Sequence, residues 1–87
     1  MGELDPKAEA IFDKVKEIIV REARVDESLV TLDATMNDLY ADSATRMSIA
    51  DELDREYNLG DLDVDLAEDT TVGDIVDFIR EHLEEEE

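Results

Sequence analysis

Ser43 stands at a junction in the chain. It follows Asp38-Leu39-Tyr40-Ala41-Asp42, which reads as loop, and it opens a stretch to Tyr57 with helical patterning. The first backbone N–H groups of a helix have no acceptor within the helix. A hydroxyl placed there is exposed among these donors, and a phosphate on that oxygen is favoured by them and by the helix dipole. The ordinary alternative is a capping serine on a solvated acidic helix carrying Asp51, Glu52, Asp54 and Glu56.

Other chemistries fit the residues poorly. Asp61, Asp63 and Asp65 resemble the opening of a calcium loop, but its sixth position is Leu66 where Gly is needed and its twelfth is Val72 where Glu is needed. No dedicated metal site is expected, and crowded carboxylates allow only loose divalent binding. His82 is the single histidine and falls in the acidic tail, remote from Ser43. There is no Gly-x-Ser-x-Gly elbow, and three glycines in all leave no phosphate-cradling loop. A catalytic role is therefore not expected. The absence of cysteine removes disulfides, thiol nucleophiles and thiolate ligands, and suits a reducing cytoplasm.

The elements that must position Ser43 are helices. Asp5 and Pro6 make a cap and first position for a helix over residues 6–24, with a stripe of Ala8, Ile11, Phe12, Val15, Ile18 and Ile19. Residues 25–42 have irregularly spaced apolar residues and read as a long loop pinned to a core, with room for a helical turn at 35–39. A second helix is expected over 43–57, capped by Asp42 or Ser43 and stopped at Asn58-Leu59-Gly60. Residues 61–69 alternate with period two, but a lone strand has no partner, so a loop with a short weak helix is the reading. Thr71 and Asp74 open a last helix to about Leu83, with a stripe of Val72, Ile75, Val76, Ile79 and Leu83 and with Phe78 at its edge. Residues 84–87 place four acids at a helix C-terminus, which the dipole opposes, so fraying is expected. The predicted fold is all-α: a single domain over 1–87, a small four-helix bundle of three main helices and one short one, with a long first loop.

The chain has 87 residues, 27 acidic and 8 basic, for a net charge of −19. That length accommodates one core, and with 43% hydrophobic residues but 5% aromatic ones the core must be aliphatic. Eight cations cannot neutralise a phosphate backbone, so nucleic acid is excluded as a partner. No apolar run approaches the roughly 20 residues of a membrane span. The opening Met-Gly-Glu-Leu-Asp-Pro lacks the pattern of a secretory signal. Basic protein surfaces are the natural counterpart of such a charge.

Taken whole, the chain resembles the acyl carrier protein family. That family has a long first helix, a long loop, an Asp-Ser-Leu motif opening the second helix and a Thr-Thr-Val-like start to the last one. Here Asp38-Leu39 and Ala41-Asp42-Ser43 stand at the end of the loop, and Met47, Ile49, Leu53, Glu56 and Tyr57 follow along the second helix. Glu68 to Val72, Ile75 and Asp77-Phe78-Ile79 match the last helix. The resemblance runs from about Ile11 to Ile79. It implies a 4′-phosphopantetheine arm on Ser43, with Asp42 beside the attachment point helping to receive the phosphopantetheinyl transferase. Acyl groups would ride on the arm as thioesters, and the monomeric protein would present them to acyl-transferring or condensing enzymes with basic docking surfaces, in fatty-acid, lipid or related biosynthesis. The acyl chain would tuck among Met36, Met47, Ile49, Ala50, Leu53, Leu62, Ile75 and Phe78, each of which could equally be plain core. Partners would read Thr45, Arg46, Ser48, Asp51, Glu52, Asp54 and Arg55.

This sequence departs from the family pattern at several of those positions. Ala44 replaces the usual Leu, Tyr40 the usual Gly two residues before the Asp, and Thr45, Arg46, Ser48 and Arg55 alter the recognition helix. The departures favour a specialised carrier over a housekeeping one. Two alternatives stay open: an unmodified acidic interaction domain in which Ser43 is only a cap, and a carrier of aminoacyl or polyketide cargo.

Overall fold

The computed structural model describes residues 5–59 and 66–86, and it is helical with no strand among them. The first helix, α1, spans Pro6–Ala23; α2 spans Ser43–Tyr57; α3 spans Val72–Glu86. A 3-10 turn at Glu27–Leu29 is the one further helical element among the described residues. It falls within the expected first loop, whereas the short helix was expected in 61–69. Residues 60–65, including Leu62, lie outside the described residues, and Glu68 and Asp69 form a turn.

Each helix begins where a side chain satisfies the orphan donors. Asp5 Oδ1 accepts from the Ala8 N–H at 2.8 Å, with Pro6 in the first position where no N–H is needed. Asp5 also pairs with Arg80, whose Nε donates to Oδ1 at 3.2 Å, fastening the start of α1 to α3. Thr71 and Asp74 form a reciprocal capping box: the Asp74 N–H donates to Thr71 Oγ1 at 3.0 Å, and the Thr71 N–H to Asp74 Oδ2 at 3.2 Å. Two helices stop on left-handed residues, Arg24 at φ 59° and Asn58 at φ 53°. The last helix continues to Glu86, so the first three residues of the acidic tail prolong it beyond the expected end near Leu83.

The core is aliphatic. Ile11, Val15, Ile18 and Ile19 of α1 meet Ile49 and Leu53 of α2 and Val72, Ile75, Val76 and Ile79 of α3. From the first loop, Val30, Ala34, Met36, Leu39 and Ala41 join them, while Leu29 and Leu32 remain exposed.

What holds that loop is a backbone pairing absent from the sequence reading. Residues 32–37 run antiparallel to 68–73. Met36 N–H donates to the Thr70 carbonyl at 2.9 Å and Asn37 N–H to that of Glu68 at 2.9 Å. Val72 N–H donates to Ala34 at 2.9 Å and Gly73 N–H to Leu32 at 2.8 Å. A Cβ at position 73 would stand 3.1 Å from the Leu32 carbonyl oxygen, so the close approach is one that glycine accommodates. The start of α3 thereby anchors the loop that delivers the chain to Ser43.

Candidate functional site

Between Met36 and Ser43 the chain turns sharply. Thr35 and Asp38 cap each other reciprocally, at 3.1 and 3.0 Å, and the Ala41 N–H closes the turn on the Met36 carbonyl at 3.0 Å. This is the helical turn expected near 35–39. It sinks Met36, Leu39 and Ala41 into the core and leaves Tyr40 outward, 80% exposed, at φ 59°.

Tyr40 is thus held in the left-handed region, where the family's usual glycine carries no steric cost. A non-glycine residue there costs about 1–2 kcal/mol, against about 0.5–1 kcal/mol for the greater freedom of glycine in the unfolded chain. Tyr40→Gly is expected to raise stability by a net ~0.5 kcal/mol or more, read as a rise of a few degrees in the thermal unfolding midpoint. A lower midpoint would show that the tyrosine makes a compensating contact.

Asp42, not Ser43, is the cap of α2. Its Oδ1 accepts from the Thr45 N–H at 2.9 Å, and its own carbonyl accepts from the Arg46 N–H at 2.8 Å. The carboxyl is held below its ordinary value of 3.8, first by the Thr45 N–H, then by the Thr45 hydroxyl and the nearby Arg46 charge. Because folding lowers this pKa, the cap is in place at neutral pH and is lost only as the pH falls through the folded value.

Ser43 therefore occupies the first position of α2 with its capping role taken by its neighbour. It is exposed, and its hydroxyl makes no hydrogen bond among the described residues. The arrangement offers a reachable oxygen at the positive end of a fifteen-residue helix, suited to carrying a phosphodiester.

A family profile described as a phosphopantetheine attachment site matches residues 13–79. An acyl carrier protein of Thermotoga maritima is 42% identical over 76 residues, which cover 86% of this chain and 94% of its own length. The chain belongs to the acyl carrier protein family. Further acyl carrier proteins, from Streptococcus pneumoniae and Clostridium perfringens, are 40% and 39% identical over 83% and 85% of the chain, and over 95% and 99% of their own lengths. No solved structure matches. The prosthetic group of the family is 4′-phosphopantetheine, and an exposed serine hydroxyl without a partner at a helix start is an acceptor that fits it.

Around Ser43 the residues expected to line an acyl chamber separate into groups. Met36, Ile49, Leu53 and Ile75 are fully buried and contiguous in the core. Ala50 and Phe78 are half-buried and pack against it. Met47 is instead 72% exposed. It stands two residues before Ile49, about 200° round the helix at roughly 100° per residue, so the two cannot share an inner face.

The expected docking residues also differ among themselves. Ser48 and Asp51 are exposed; Thr45, Glu52 and Asp54 are half-buried. Arg55 is exposed but already paired within α2, to Asp51 at 3.2 Å and to Glu52 at 3.3 Å. Glu52 also receives Arg21 of α1 at 3.3 Å. Arg46 is half-buried and turned to the backbone: its Nε donates to the Leu66 carbonyl at 3.0 Å and its Nη1 to that of Ala41 at 2.9 Å. Sequence reading placed Arg46 on the outer surface. Its spacing from Ile49, Ala50 and Leu53, three, four and seven residues on, was the available sign that it shares their face.

No helix among the described residues is long and apolar enough to cross a membrane. None of their acidic or histidine side chains cluster as a metal site.

Proposed function

We propose that the protein is an acyl carrier that holds 4′-phosphopantetheine on Ser43 and presents thioester-linked acyl groups to the enzymes of fatty-acid or related lipid biosynthesis. The single observation that carries this is the division of labour at the start of α2, where Asp42 caps the helix and leaves the Ser43 hydroxyl outward with no structural task. The arm supplies a thiol, which the chain itself lacks. The protein's own residues perform no bond-making step. Asp42 and the α2 start orient the acceptor oxygen, and the packed aliphatic interior keeps water from whatever apolar chain enters it.

Enzymes acting on the arm meet a strongly acidic protein, and complementary basic surfaces would speed the encounter in a salt-dependent way. The exposed Asp51, with Ser48 and Met47 on the outer side of α2, belongs to the surface they would read. Arg55, neutralised locally by Asp51 and Glu52, changes that surface less than its charge alone suggests.

Incubating the protein with coenzyme A and a broad-specificity phosphopantetheinyl transferase is expected to add one arm, seen in the intact mass and located on the peptide containing Ser43. A chain that stays unmodified with several such transferases would overturn the assignment and favour an acidic interaction domain.

A further inference from the structure

The inner face of α2 is apolar at Ile49, Ala50, Leu53 and Tyr57. One turn earlier, in register with that stripe, stands Arg46, and three residues before it Ser43. A chain suspended from the Ser43 hydroxyl and directed beneath α2 meets the Arg46 side chain before it reaches the core. That side chain is anchored on both flanks: Nη1 holds Ala41, two residues before Ser43, at 2.9 Å, and Nε holds Leu66, on the approach to α3, at 3.0 Å. Ala41 and Leu66 are themselves buried against the core.

We infer that Arg46 is a clasp at the mouth of the α2 stripe, closed while no cargo is inside and opened by apolar acyl chains long enough to displace it, so that it selects what the protein shelters. The inference rests on the carrier reading above.

The balance is between two kinds of interaction. Closing the clasp joins a cation to two carbonyls, and opening it returns the guanidinium and both carbonyls to water. Entry of cargo removes apolar surface from water in proportion to chain length. A short or polar acyl group gains too little to exchange one for the other and stays outside on its arm. A long unbranched chain gains more with every methylene and takes the place beneath α2. The interior around this route is closely packed, with Met36, Leu39, Ile49 and Leu53 at 0% exposure, so a long chain enters only if a neighbouring seam yields. The seam between the α2 start and Leu66 is cross-linked by a side chain instead of by apolar contact alone.

The test loads Ser43 of the full chain from acetyl-, octanoyl- and dodecanoyl-coenzyme A, with each product verified by mass. The Nε–H resonance of Arg46 is assigned by its loss in Arg46→Lys, and its exchange with solvent is then measured. The acetyl form should match the unmodified protein. The dodecanoyl form should exchange faster by about tenfold or more, because exchange follows the population of the opened state. In Arg46→Met, which keeps a long side chain without donors, the shortest acyl chain that raises the unfolding midpoint should become shorter than in the parent. Equal Arg46 exchange in fully loaded acetyl and dodecanoyl forms would overturn the clasp and leave the carrier assignment intact. Should Arg46→Met fail to fold, the comparison within the parent protein decides alone. Failure of every form to load would remove the carrier reading and this inference with it.

Discussion

Ser43→Ala is expected to abolish attachment of the arm while changing stability by no more than about 0.5 kcal/mol, as for a surface substitution away from a cap. The separation of the two effects follows from where the cap lies. Asp42 accepts the Thr45 N–H, and the Ser43 hydroxyl accepts and donates nothing among the described residues. Alanine is also at least as good a helix former as serine. Asp42→Ala should behave oppositely in one respect, since it removes the cap and lowers the melting point. Other hydroxyls nearby do not substitute for Ser43. Thr45 is half-buried and lies two residues into the helix from Ser43. Ser48 is exposed, but five residues further on it points roughly 140° away, at about 100° per residue, and no longer stands at the helix start. Intact mass after incubation with coenzyme A and transferase reads the first effect, and thermal unfolding by circular dichroism the second. An arm still carried by Ser43→Ala, or a variant that unfolds, would show that the oxygen was assigned the wrong role.

The parts of the fold legible in the sequence are those in which a side chain announces the backbone. Asp5-Pro6 starts α1, Thr71 with Asp74 starts α3, and Asn58 ends α2, because each performs a local hydrogen-bonding or dihedral task that few other residue types do as well. The stripes of α1 and α3 were equally plain, since both helices are amphipathic along their length. The second helix was harder. Its inner face has only Ile49 and Leu53 fully buried, so Met47 could be mistaken for a third member although its angular position excludes it. The pairing of 32–37 with 68–73 was not legible, because it is made between main-chain groups that every residue possesses. The departure at Tyr40 was visible as a missing glycine, but its left-handed backbone was not. Arg46 was hidden for a related reason: an arginine on an acidic helix reads as surface charge, whereas here the guanidinium bonds two carbonyls brought near it by tertiary structure. The position of the Ser43 hydroxyl at the start of α2 was thus readable from sequence, and its freedom from the capping role was not.

Leu53→Ala is expected to lower the unfolding free energy by about 2–5 kcal/mol, the range for deleting a buried leucine side chain. Leu53 is 0% exposed and is one of only two fully buried side chains of α2. Besides the rest of that apolar face, chiefly Ile49, α2 is tied to α1 by partly solvated ion pairs, Arg21 to Glu52 at 3.3 Å and Lys14 to Glu56 at 3.8 Å. Exposed pairs of this kind contribute about 0–1 kcal/mol each and cannot replace the lost packing. In a domain of this size, with total stability on the order of 5–15 kcal/mol, the substitution removes a large share. At about 4–8 °C per kcal/mol, the midpoint should fall by roughly 10 °C or more. Met47→Ala on the same helix is the control. Its side chain is 72% exposed, and the change should stay within about 0.5 kcal/mol. Similar small losses in both variants would mean that α2 does not pack through Ile49 and Leu53, and the register that sets Arg46 at the mouth of that face would be wrong as well. Below its lowered midpoint Leu53→Ala should still accept the arm, because the proposed attachment point is the corner formed by Ala41, Asp42 and Ser43 and not the middle of the stripe.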